Sequence, residues 1–312
     1  MSGPTVQSAL VIGEALVDVI AREGEPTEVF PGGSPLNVAV GLGRLGMPVA
    51  LHSSFGTDAH GALIAAHLTA NGVRVMPGTV SAASTSVARA SIGSDGSAAY
   101  VFDVGWDPQP VRVAPEGLAV VHTGSIGAVL EPGASLVAAQ LDALRGTATI
   151  TYDPNIRPQL MGDPELTRGR ILRMIVRADV VKASDEDIAW LYPHSDPART
   201  AQSWLALGPS IVVVTRGADG AHVATRAGSV DIPAEKAIVA DTVGAGDSFM
   251  SGLLVALAAH RLLGRDRELF LRSIDLETTR RVVEFAARCA AVTVSRRGAN
   301  PPTRDEVAKS DS

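Results

Sequence analysis

The chain has 312 residues, a net charge of −6, 46% apolar but only 4% aromatic residues, and one cysteine. That length suits one large α/β domain with a substantial core. The acidic balance with scattered Lys and Arg argues against a nucleic-acid partner, and the lone Cys289 excludes an internal disulfide.

Ser8–Ile12 reads as a short strand ended by Gly13, and Val17–Ile20 and Thr27–Phe30 as two more joined by a charged turn containing Pro26. After the Gly/Pro cluster Pro31–Pro35, Val38, Leu42 and Leu45 fall at helical spacing from Asn37, and Gly46 with Pro48 ends that helix. Val49–Ser53 predicts a strand and Ala59–Ala70 a helix stopped by Asn71 and Gly72. Thr85–Ile92 and Ala98–Val104 flank the hairpin signal Gly93-Ser-Asp-Gly96. These strands and those around Val17–Phe30 do not alternate with helices. They predict a small separate sheet, a lid built from insertions at about 14–30 and 85–107 of a domain spanning 1–312. From Ala119 the pattern becomes βαβ, with strands at Val120–His122, Thr149–Tyr152, Val180–Lys182 and Ile211–Thr215. Two long helices follow, from about Gly244 to Leu263 and from about Glu277 to Val294, and the polar tail from Lys309 is expected to fray. Met1–Gln7 lacks the basic flank of a signal peptide, and Leu253–Ala259 is too short to span a bilayer. A cytoplasmic protein without a membrane partner is expected.

Gly41-Leu-Gly43-Arg-Leu-Gly46 matches the dinucleotide fingerprint G-x-G-x-x-G. That fingerprint must follow a strand and open a helix, so that the pyrophosphate meets free N–H groups. Here the glycines close a helix, so they read as close-packing residues with Gly46 as the cap. No Gly-Lys-Ser/Thr run exists, so a P-loop is absent. The seven histidines show no metal-ligand spacing, and Cys289, in an Ala-rich helical pattern, reads as a small core residue.

Asp241-Thr-Val-Gly-Ala-Gly-Asp-Ser-Phe249 leads into a strongly apolar helix. Glycines at a helix start let the backbone approach a ligand closely, and the first N–H groups, with the helix dipole, form an anion site suited to a phosphate under transfer. Asp247 sits beside those donors. A carboxylate there can serve merely as a helix charge or cap, but two glycines at an ordinary helix start would be costly, and the pattern is longer than capping needs.

The Asp241–Phe249 segment resembles the C-terminal signature of ribokinase-like (PfkB) carbohydrate kinases, and Pro31-Gly-Gly-Ser-Pro-Leu-Asn-Val-Ala-Val-Gly-Leu-Gly-Arg-Leu-Gly46 resembles their N-terminal signature, in the same order and with similar separation. Gly13–Asp18, Asp153–Arg157, Val214–Gly220 and Ser295–Ala299 extend the resemblance over nearly the whole chain. It implies a three-layer α/β/α sandwich with a small β-sheet lid, and phosphorylation of a small sugar by ATP with Mg²⁺.

Within that resemblance Asp247 matches the catalytic base, and the N–H groups of Gly244, Ala245 and Gly246 the anion hole. Asp18, Gly32, Gly33 and Asn37 match sugar-binding positions, where carboxylate and amide suit vicinal hydroxyls; Asn37 could instead be a helix N-cap. Phe102 or Tyr100 could pack on the sugar or within the lid core, Arg157 could bind a sugar carboxylate, contact phosphate, or hold its loop, and Asp103 would repel such a carboxylate if it points inward. Thr215, Gly217 and Gly220 match the nucleotide side. Lys182–Asp187 corresponds to a motif organising Mg²⁺ and phosphate, but Ser184 and Asp187 stand where Asn and Glu are usual. Asp187, one methylene shorter, suits a water-mediated contact or a helix cap. Asp241, Val243, Thr293, Arg296 and Gly298 match a loop that binds a monovalent cation, K⁺ being the candidate. D-fructose, giving fructose 6-phosphate, is the expected substrate. Ribose, 2-keto-3-deoxygluconate and a catalytically inactive sugar sensor are the alternatives. Lids of this family often pair between subunits, implying a homodimer, and the exposed sheet edge supplies a physical reason.

Overall fold

The computed structural model describes residues 7–22, 25–92, 98–114 and 116–309. In chain order the first half contains β1 (Ser8–Ile12), β2 (Leu16–Arg22), β3 (Glu28–Gly32), α1 (Ser34–Arg44), β4 (Val49–His52), α2 (Ala59–Ala70), β5 (Val73–Val75), β6 (Ser86–Ile92), β7 (Ala98–Asp103) and β8 (Leu118–Gly124). There follow α3 (Gly133–Leu144), β9 (Thr149–Asp153), α4 (Pro158–Met161), α5 (Pro164–Ile175), β10 (Val180–Ser184), α6 (Asp185–Leu191), α7 (Pro197–Leu205) and β11 (Ile211–Thr215). The chain closes with β12 (Ala221–Thr225), β13 (Gly228–Ile232), α8 (Ala245–Ala259), α9 (Glu268–Arg272), α10 (Leu276–Val294) and α11 (Arg304–Lys309). The Gly93–Gly96 turn, the first six residues and the tail beyond Lys309 lie outside the described residues.

Nine strands form the main sheet in the order β13-β12-β11-β10-β9-β8-β1-β4-β5. It is parallel from β11 to β5, with β12 and β13 added antiparallel at one edge. A parallel sheet buried on both faces needs apolar residues on both, and the central strands comply. Val11, Val120, Val180 and Val213 pack with Val40 of α1, Leu253 of α8 and Val282 of α10. Leu10, Val121, Ile150 and Val181 pack with Val137 of α3, Ile171 of α5 and Trp204 of α7. The result is the three-layer sandwich that the resemblance implies, and Cys289 lies inside it, its thiol pushed up to about 12 by burial. Among the described residues no helix is long and apolar enough to cross a membrane.

The second sheet is separate, four-stranded, in the order β3-β2-β6-β7. It matches the predicted lid. The register puts Asp18 opposite Phe30 and Ala88, and Ala88 opposite Phe102, so these four share one face. Asp103 pairs with Val87, in the row of Val17, and therefore belongs to the other face.

Several strand ends differ from the sequence reading by one or two residues, and two helix ends differ by more. α1 starts at Ser34, not Asn37, because Pro35 is tolerated in the first turn, and Asn37 is thus inside the helix and is not its cap. α8 stops at Ala259, short of Leu263, where Arg261 adopts a φ of 56°. Short β5 and the β12–β13 hairpin had no clear sequence signal. The Gly41–Gly46 run behaves as expected. A side chain at Gly41 would strike Ser251 of α8, one at Gly43 would strike the Asn71 carbonyl, and the Gly46 and Met47 N–H groups close the helix onto the Gly43 and Leu42 carbonyls.

Candidate active site

The carboxyl ends of the parallel strands, where open α/β sheets place their ligands, carry Asp153 on β9, Ser184 on β10 and Thr215 on β11. The start of α8 faces this edge. Its N-cap, Gly244, has a φ of 76°, and an added Cβ would meet Ala299 at 2.7 Å, so only glycine fits both the turn and the neighbouring loop. The Ala245 N–H turns back to the Thr242 carbonyl at 3.3 Å. The N–H groups of Gly246 and Asp247 have no acceptor among the described residues and stay available to an anion.

Asp247, the third residue of α8, is 6% exposed. Its Oδ1 accepts the Ser34 hydroxyl at 2.7 Å and the Asn155 amide at 3.3 Å, and its Oδ2 accepts the Asn37 amide at 2.9 Å. Helix α1, through the Gly41–Ser251 contact, and the loop after β9 therefore converge on one carboxylate.

Directly beneath the turn, Lys182 is 3% exposed and donates to Asp153 Oδ2 at 2.9 Å. A Cβ at Gly246 would stand 2.9 Å from Lys182 Nζ, so this glycine admits an ammonium group under the anion site. Burial alone would lower the Lys182 pKa, but Asp153 and Asp187 outweigh it and hold the amine charged. Burial lifts Asp153 to about 6 against the pull of Lys182.

Ser184 and Asp187 form a capping box on α6: Ser184 Oγ accepts the Asp187 N–H at 3.0 Å and Asp187 Oδ2 accepts the Ser184 N–H at 2.8 Å. Asp187 Oδ1 takes the Ile156 N–H at 2.7 Å. The cap reading of these two residues is thus realised, and it also ties α6 to the Asn155 loop. Thr215 lies beside Ser184 in register, with its hydroxyl on the Ala183 carbonyl, and Gly217 and Gly220 form the turn that follows.

On the sugar-expected side, Asp18 lies against Gly32, where a Cβ would strike its Oδ2. Burial raises Asp18 to about 6 although Arg157 opposes the shift. Arg157 itself is exposed, and among the described residues its guanidinium bonds only the Asn155 and Ile156 carbonyls and the Asn155 side chain. At the root of the lid, Gly33 has a φ of 105°. Glu14 is buried there, accepts the Gly127 N–H at 2.9 Å, and is pushed by burial up to about 7.

The five residues matched to a cation loop are also drawn together. Asp241 accepts the Val243 and Gly298 N–H groups, which hold it below the usual carboxylate range despite its burial, and the Thr293 carbonyl accepts the Arg296 N–H. The Arg296 side chain turns away to Glu306 at 2.7 Å.

Four residues of this constellation escaped the sequence reading: Ser34, Asn155, Asp153 and Glu14. Asn155 left a signal, an amide two residues past a strand-end acid, and it holds a positive φ of 37°. Ser34 was hidden in a Gly/Pro cluster that reads as a turn.

The sequence pattern of the pfkB family carbohydrate kinases matches residues 6–306. A fructokinase of Rhizobium leguminosarum bv. trifolii is 34% identical over 264 residues, covering 81% of each chain. A fructokinase of Klebsiella pneumoniae is 32% identical over 310 residues, covering 96% of this chain and 98% of its own. A crystal structure of fructokinase with bound ATP from Xylella fastidiosa superposes with a TM-score of 0.81 at 25% identity, covering 96% of this chain and 97% of the other.

Proposed function

The chain belongs to the pfkB family of carbohydrate kinases, and on that premise we propose that this ATP-dependent sugar kinase phosphorylates the 6-hydroxyl of D-fructose. The observation that carries the chemistry is Asp247: a buried carboxylate held by three donors, beside the unpaired N–H groups of its own backbone and Gly246 and close above a charged lysine. The sugar hydroxyl oxygen attacks the γ-phosphorus, its proton passes to Asp247, and the bond to the β,γ-bridging oxygen breaks to release ADP. Phosphoryl transfer is chiefly positioning and charge stabilisation. The Gly246 and Asp247 N–H groups and the Lys182 ammonium would oppose the charge of the group in flight. Mg²⁺, which usually keeps several waters and binds through substrate phosphates, would neutralise phosphate charge. Asp187 would meet it only through water, since both its oxygens already accept N–H groups. K⁺ is assigned to the Asp241–Gly298 loop, and the exposed lid residues Val29 and Val101 to the interface of a homodimer.

The named relatives support fructose. One structural feature favours a second reading, 2-keto-3-deoxygluconate. Among the described residues Arg157 bonds only its own loop, free to take a carboxylate bidentately, and Asp103 sits on the lid face away from Asp18 and so does not repel an acid there. Measuring kcat/KM for fructose, ribose and 2-keto-3-deoxygluconate at fixed ATP separates the readings. Fructose is expected to lead. A tenfold lead for another sugar, about 1.4 kcal/mol in transition-state binding, overturns fructose but leaves the kinase, whereas no ADP release with any sugar supports the inactive sensor.

A further inference from the structure

We infer that Ser34 is a positioning residue for Asp247: its hydroxyl pins Oδ1 so that Oδ2 faces the sugar's attacking hydroxyl. The inference rests on the reading of Asp247 as the base.

The three donors to Asp247 are not equivalent. The Ser34 bond is 2.7 Å, within the range of strong O–H···O⁻ bonds, and is fully buried. The Asn155 bond, at 3.3 Å, is long, and both amide contacts are only part-buried. Asn37 and Asn155 therefore open onto the cleft, where an incoming sugar can draw them away. Ser34 lies behind the carboxylate, out of a ligand's reach. Once sugar is bound, it is the donor that continues to fix the carboxylate's rotation. Oδ2, vacated by Asn37, is then the oxygen turned to the substrate.

Local structure gives the hydroxyl no competing task. Ser34 is the first residue of α1, directly after the N-cap Gly33. Among the described residues, only Asp247 accepts from this buried hydroxyl. The helix that carries it is held against α8 by the Gly41–Ser251 contact, so the Ser34–Asp247 distance is set by rigid helix packing and not by a loop. A one-ångström loss of alignment at a reacting group is enough to slow a positioned reaction strongly.

The test is a double-mutant cycle of S34A and D247N with steady-state kinetics on fructose and ATP, accompanied by thermal melts. S34A is expected to lower kcat about tenfold with both KM values within twofold, and to lower the melting temperature modestly, since a buried bond to a charged group is lost. S34A/D247N is expected to match D247N, because the hydroxyl acts only through the carboxylate. S34C, of similar shape but a weak donor, is expected to behave as S34A. An S34A enzyme with kcat within twofold of wild type overturns the inference, as does S34C with full turnover, which would make the position one of shape. An equal further loss of turnover in the D247N background makes the residue structural and also overturns it. Near-wild-type turnover of D247N alone would instead sink the base assignment beneath it.

Discussion

The two walls of the cleft are built on opposite plans. The phosphate wall is dense and fixed: α1, α8 and the ends of β9 and β10 place Ser34, Asn37, Asn155, Asp153 and Lys182 within a continuous set of bonds around Asp247 and the turn above it. The lid wall is a four-stranded sheet with Phe30, Val29 and Val101 exposed at 43%, 37% and 63%. It packs on the core through Val17, Val19 and Val87, which are buried in one cluster with residues of α1 and α2, and adds the Glu14–Gly127 bond at its root and a surface pair between Glu28 and Arg297. The chemistry needs sub-ångström placement and has it in the rigid layer. On the proposed reading, discrimination among sugars falls to the lid sheet, whose outer face is exposed. The contrast implies that changes in the first wall should strike kcat and changes in the second KM.

The largest effect should come from Asp247→Asn. The amide preserves size and most contacts but cannot take a proton, so turnover should fall roughly 10²–10⁴-fold while sugar and ATP binding, measured calorimetrically, persist. Loss of binding with the same drop would erase the contrast, making this residue part of substrate affinity. Next is Gly246→Val. Its Cβ would press on Lys182 Nζ, which the ion pair to Asp153 keeps from moving aside, and would crowd a phosphate off the N–H donors. Loss of one such donor costs on the order of 10²–10³ in turnover. A collapsed melting temperature with preserved kcat would show that the glycine serves packing alone.

A third expectation concerns the lid root and pH. Glu14 has an ordinary pKa of 4.5 and is lifted by burial to about 7. The folded state thus holds this proton more tightly than the unfolded chain. Its contribution to stability is full below about 4.5 and is lost as pH rises through about 7, on the order of 3 kcal/mol over the window. Glu14→Gln carries no such proton. The wild type should therefore lose stability relative to the variant between pH 5 and pH 8 in denaturant titrations. Parallel curves would mean that Glu14 stays ionised, held by the Gly127 N–H, Ser125 and Arg157.

The same contrast explains what the sequence could disclose. The phosphate wall was legible because its chemistry is written in contiguous runs: the glycines and Asp247 lie within nine residues, and apolar runs with their turn-forming stops located β1, α2 and β11 to the residue. What stayed hidden came from distance. Ser34 and Asn155 reach Asp247 across 213 and 92 positions, and no local pattern reports such a contact. Asn37 could be read as a cap because the Gly/Pro cluster masked the first turn of α1. On the lid, the alternation of side chains along β7 was visible, yet which face Asp103 occupied depended on pairing with β6, and a one-residue register change reverses every side chain.

The smallest expected effect lies on that lid. Phe102 shares its face with Asp18 through the intervening Ala88 and is half-buried, so its ring can cover the apolar face of a bound sugar. Truncation to Ala should remove packing that is equal in the ground and transition states. That raises the sugar KM without altering kcat. About 1 kcal/mol of lost contact corresponds to roughly a fivefold change in kcat/KM, small beside the losses expected on the phosphate wall. The ATP KM should stay unchanged, because the nucleotide side is built on β10, β11 and the turn after them. A kcat that falls with KM constant would instead mean that the lid helps to align the attacking hydroxyl, and the division of labour between the two walls would then be wrong at its most exposed point.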